Sequence, residues 1–117
     1  MLLIFLLSSS LFAKTIPEKF TPKEKLHSVV VLIYGSPACG HCQRFSSNMQ
    51  KQGIPFVFYD VTRNEKYNEE MWQKIWMVKP GLTSVSFPVL DIKGRVLVSP
   101  KYEKFVKVLQ KMEKRNQ

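Results

Sequence analysis

After Ser28, six residues in a row, Val29-Val30-Val31-Leu32-Ile33-Tyr34, are apolar or aromatic, and a helical period begins soon afterwards. A short, β-branched run of this kind reads as a strand covered on both faces. Gly35-Ser36-Pro37 turns the chain, and Gln43 to Gln52 reads as a helix that Gly53 ends. Ile54-Pro55-Phe56-Val57-Phe58-Tyr59-Asp60-Val61 is the second strand, with Pro55 near its start suggesting a sheet edge. Asn64 can cap a second helix reaching Val78, whose Tyr67, Met71, Ile75 and Val78 share a face, and Lys79-Pro80-Gly81 stops it. Pro88 to Ile92 and Arg95 to Val98 form a hairpin around Lys93-Gly94, and Pro100 begins the last helix. Residues 14–27 are polar with two prolines and read as an extended arm.

The order is therefore βαβαββα, an α/β domain over residues 28–117. A strand, a helix and a parallel strand require a right-handed crossover, and the hairpin adds two antiparallel strands. The expectation is a four-stranded mixed sheet of order 2-1-3-4, flanked by helices on both faces. Its first strand delivers the following turn to the carboxyl rim of the sheet, where open α/β sheets place their ligands.

That turn carries both cysteines of the chain, in Cys39-Gly40-His41-Cys42. A helix N-terminus has unpaired N–H groups and partial positive charge, which stabilise a thiolate placed there. Cys39 would sit at the cap, exposed, as the attacking sulfur. Cys42 would sit one turn in, more buried, as the resolving one. His41, between them, offers a charge or a hydrogen bond that favours the dithiol over the disulfide and raises the reduction potential. Its alternative is an exposed histidine in a tight turn.

Other chemistries for two such cysteines are weaker. A disulfide closing so short a loop removes little unfolded-state entropy. Structural zinc wants four ligands, and His27 is the only other histidine. A haem attachment site needs histidine where Gln43 stands. Cu(I) handling through two thiolates stays open. Redox chemistry needs neither metal nor organic cofactor.

Residues 1–13, rich in Leu, Ile and Phe and free of charged side chains, are followed by Lys14 and Pro17. The stretch is too short to span a bilayer and reads as a signal peptide cut after Ser10 or Ala13, although no Lys or Arg precedes its apolar core. An uncleaved anchor is the alternative. Export, to the periplasm if the source is bacterial and otherwise into the secretory pathway, would bring the thiols to an oxidising compartment. The net charge of +9 is spread along the chain, with a cluster in Lys101, Lys104, Lys107, Lys111, Lys114 and Arg115, opposite Tyr102, Phe105, Leu109 and Met112. The ordinary reading is an amphipathic helix with a solvated basic face; the functional one is weak attraction to an anionic membrane surface or to acidic partners. No nucleic-acid-binding motif is present. Trp72 and Trp76, four apart, serve either core and edge packing or an aromatic shelf for substrate.

Pro37-Ala38-Cys39-Gly40-His41-Cys42 and Ser86-Phe87-Pro88-Val89 resemble the two motifs of the thioredoxin superfamily, and length and element order look most like glutaredoxins. The resemblance covers about residues 28 to 112. It implies a cis Phe87–Pro88 bond facing the cysteines, with the Phe87 backbone binding an extended substrate beside a Cys39 mixed disulfide. It implies a redox-active Cys39–Cys42 disulfide, protein thiol and disulfide substrates, and a redox partner protein, with Pro37, Ala38, Phe87 and Pro88 contacting substrate. Cys-Gly-His-Cys is the tetrapeptide of protein disulfide isomerases. Isomerase lies near about −180 mV and thioredoxin near about −270 mV, so similarity implies the more oxidising kind, by on the order of 4 kcal/mol. Two positions depart from the family. Val98-Ser99-Pro100-Lys101 stands where many glutaredoxins have a Gly-Gly pair that accepts glutathione, so glutathione binding does not carry over. Ile33 stands where thioredoxins have a buried acid that moves protons onto the resolving thiol. The expected function is an exported thiol–disulfide oxidoreductase, with a dedicated reductant of one exported client as the alternative beside copper handling.

Overall fold

The structure is a computed structural model that describes residues 15–23 and 27–115. The leader expected over residues 1–13, with its cleavage positions, lies outside the described residues. Five strands and three helices follow in the order β1 (Lys19–Phe20), β2 (Val31–Gly35), α1 (Gly40–Lys51), β3 (Phe56–Asp60), α2 (Glu65–Val78), β4 (Val89–Ile92), β5 (Arg95–Val98) and α3 (Tyr102–Arg115). They form one mixed sheet of order β1-β3-β2-β4-β5.

The last four positions of that order are the expected 2-1-3-4 arrangement. Strand β2 runs parallel to β3 and antiparallel to β4, and β4 and β5 form the hairpin. The strand count is corrected from four to five, because Lys19–Phe20 in the arm pairs antiparallel with Val57 and Phe56. Phe20 does this by laying its ring 5.5 Å from that of Phe56, which buries apolar area that the isolated arm would leave in water. Strand β3 is consequently not the edge that Pro55 suggested. Pro55 precedes the strand, and its carbonyl accepts the N–H of Val31 at 3.0 Å.

Alternation along β2 decides which helix covers which face. Val31 and Ile33 pack with Cys42, Phe45 and Met49 of α1 and Phe105, Val108 and Leu109 of α3. Leu32 and Tyr34 turn to the other face, against Met71 and Ile75 of α2. On that second face a polar clamp ties α2 to the sheet: Lys74 Nζ lies 2.7 Å from Asp91 Oδ2 in β4 and donates to Tyr34 Oη at 2.8 Å. Burial works to lower the Lys74 ammonium, but its bonds to Asp91 and Tyr34 outweigh it and hold it above the ordinary lysine value.

Helix ends follow local chemistry. Helix α2 is capped by the Asn64 side chain, which accepts the Tyr67 N–H at 3.2 Å. Helix α1 ends in a reversal at Gly53, whose φ of +67° suits glycine, and Ile54 N–H reaches back to Met49 O at 2.9 Å. No helix among the described residues is long and apolar enough to cross a membrane.

Candidate active site

Helix α1 starts at Gly40, earlier than the helical period suggests, because Cys39 serves as its N-cap. The Cys39 sulfur accepts the backbone N–H of Cys42 at 3.3 Å, and the Cys39 carbonyl accepts the N–H of Gln43 at 3.0 Å. A sulfur held this way faces the unpaired donors of the first turn. The two sulfurs differ in access. Cys39 is half-buried and Cys42 wholly buried, and both are free thiols. Burial is the main cause that pushes the Cys42 thiol up to about 12, the adjoining Cys39 raises it further, and the Ser36 backbone offsets part of this.

The turn before the helix is pinned at several points. Ser36 Oγ accepts the Ala38 N–H at 3.1 Å, Ser36 O accepts the Cys39 N–H at 3.1 Å, and the Gln43 side-chain amide donates to Pro37 O at 2.7 Å. Pro37 is half-buried and Ala38 exposed, so the segment ahead of Cys39 presents a surface. Ser36 and Gln43 were not singled out from the sequence, since polar residues in a turn carry no signal of which backbone atoms they will hold.

Gly35 is the more consequential omission. A Cβ added there would lie 2.6 Å from Cys42 Sγ and 3.5 Å from Phe87 Cβ. Only glycine lets the end of β2 pass this close to the resolving sulfur, and the same close approach brings Phe87 beside it. The signal in the sequence was a glycine closing an apolar strand just before the cysteines.

The Phe87–Pro88 bond is cis, as the resemblance implies. Pro88 is buried, while Phe87 is partly exposed and packs on the apolar clusters of both sheet faces, one of which also receives Cys39. Ser99, with φ +50°, gives its N–H to Pro88 O at 3.1 Å and its hydroxyl to Ser86 O. Both of its donors are thus spent inside the molecule. His41 is half-buried with its ring 5.3 Å from that of Phe45, and among the described residues it makes no hydrogen bond to either sulfur. Ile33 is fully buried in the apolar cluster that holds Cys42, so no carboxylate occupies the place it fills. Trp72 and Trp76 lie on the opposite helix layer with centroids 5.6 Å apart; Trp72 packs at the core edge, while Trp76 is 49% exposed and donates to Leu82 O at 2.9 Å.

A mixed sheet of this order, with a thiol pair opening the helix after its central strand and a cis-proline segment next to it, is the thioredoxin-like class of thiol protein. Within that class the chain belongs to the glutaredoxin family, whose family model matches residues 31–97. Among solved structures, a glutaredoxin from Archaeoglobus fulgidus is similar in fold, with a TM-score of 0.53 and 23% identity over 70% of this chain and 86% of that one. No curated protein matches the chain.

Proposed function

We propose that the protein is an exported thiol–disulfide oxidoreductase that exchanges disulfides with protein clients through Cys39 and Cys42. The observation that carries the reading is the pairing of an accessible, helix-capping sulfur with a wholly buried one at the rim of the sheet. In the reducing direction the Cys39 thiolate attacks a client disulfide, whose S–S bond breaks as the mixed disulfide forms. Cys42 then loses its proton and attacks Cys39 Sγ, releasing the second client sulfur as the Cys39–Cys42 disulfide closes. Two electrons pass to the client; one proton comes from Cys42 and one from solvent. The oxidising direction is the reverse, and a redox partner protein restores the starting state.

The Phe87 backbone beside cis Pro88 is the edge at which an extended client segment hydrogen-bonds, with Pro37 and Ala38 flanking it. His41, between the two sulfurs in the chain, favours the dithiol and so an oxidising potential. Protein clients rather than glutathione are favoured by Ser99, whose N–H and hydroxyl already bond Pro88 and Ser86. Export rests on the apolar, uncharged character of residues 1–13.

Trapping tests the reading. Cys42→Ser accumulates mixed disulfides with client proteins on non-reducing gels, and Cys39→Ser accumulates none. Equal trapping by both variants, or by neither, defeats it.

A further inference from the structure

Charge is divided unequally between the two helix layers. Helices α1 and α3, which share one face of the sheet, contain seven basic and two acidic residues. Helix α2, on the other face, contains two basic and three acidic ones. The excess gathers on one side of α3, where Lys104, Lys107, Lys111, Lys114 and Arg115 are all exposed and none makes an ion pair among the described residues. Of the two acids of α3, Glu113 pairs with His27 Nδ1 at 2.7 Å, and Glu103, exposed beside Lys104, makes no ion pair with the stripe among the described residues.

We infer that this face of α3 is a docking surface for an anionic lipid bilayer. Three observations favour lipid over an acidic protein. The stripe runs along most of α3, a fourteen-residue helix about 20 Å long at the rise of an α-helix, so its charges are spread along a line. The exposed large apolar side chains are Val30, Trp76, Met77 and Val78, and none lies on α1 or α3. A protein interface draws its affinity from buried aromatic and apolar anchors and is poor in lysine, whereas this face has four lysines and no anchor. Lipid headgroups need no anchor, since each Lys or Arg close to the surface adds independently to the attraction. Trp76 lies on the α2 layer, away from the stripe, so the inference is independent of that exposed apolar patch and of the thiol chemistry.

Flotation of the full chain with vesicles tests it. The probes are vesicles with about 30% phosphatidylserine and neutral phosphatidylcholine vesicles; the second reads any contribution of residues 1–13. Binding to the anionic vesicles exceeds that to neutral ones by about tenfold or more and disappears in about 0.5 M salt. Lys104→Glu/Lys107→Glu/Lys111→Glu removes that excess by at least about tenfold, while Lys66→Glu/Lys79→Glu/Arg95→Glu, with the same net charge, changes it by less than about threefold. Equal losses in the two variants would mean that net charge alone acts, and equal binding to both vesicle types would mean that the basic face does not. Either result overturns the proposal, as does tighter binding to soluble poly-glutamate than to the anionic vesicles.

Discussion

Cys39 and Cys42 are three residues apart and chemically unlike because one caps a helix and the other is packed inside it. Gly35 keeps them so. The 2.6 Å approach of an added Cβ to Cys42 Sγ cannot be accommodated without moving the resolving sulfur or the end of β2. Gly35→Ala is expected to destabilise the reduced protein by about 1–3 kcal/mol in urea unfolding and to slow release of thiol from a Cys39 mixed disulfide. A variant that unfolds like the wild type and resolves at the same rate would contradict the packing. Burial of Cys42 also has a pH signature. In the unfolded chain its thiol ionises near 9.0, in the folded one near about 12, so between these values the unfolded state binds fewer protons. The Cys42 contribution to stability is complete below about 9 and is lost as pH rises through about 12. The destabilisation caused by Cys42→Ala in the reduced protein should therefore shrink over that window; a pH-independent difference would mean that the thiol is not desolvated.

At the level of elements, the hydrophobic pattern was enough to read every strand and helix of the expected order and their pairing, because each has its own apolar period. It did not give the start of α1. Gly40, His41 and Cys42 are poor helix formers, and their inclusion depends on the Cys39 cap, a contact between a side chain and a backbone three residues on. Nor did it give β1, a two-residue strand that exists only because Phe20 finds Phe56. The Lys74–Asp91 clamp was equally invisible, since charges in a sequence are ordinarily read as solvated and these two belong to different elements. Removing one partner strands the other in a partly buried place. Asp91→Ala is expected to cost about 2 kcal/mol, less than a fully buried pair would because Lys74 keeps some solvent, and it also takes the acceptor of the Gly94 N–H in the hairpin turn. Thermal melts check this, with small-disulfide reduction near the wild-type rate because the clamp lies on the face away from α1. An unchanged melting temperature would mean that the clamp holds nothing.

Across the whole molecule the sheet keeps three features apart. Its carboxyl rim carries the thiol pair and the Phe87–Pro88 edge, the layer of α1 and α3 is the more basic of the two helix layers, and α2 carries the tryptophans and the lysine of the clamp. Family membership was legible from the two motifs because both are short, contiguous stretches of chain. The role of Gly35 was not, because it depends on how far α1 sinks against β2. What all of this requires is that one sulfur meets the outside and the other does not. Limiting iodoacetamide added to the reduced protein at neutral pH, followed by peptide mass mapping, measures it directly. A single label on Cys39 with Cys42 unmodified is the predicted result; labels on both at similar rates, or on Cys42 first, would contradict the account.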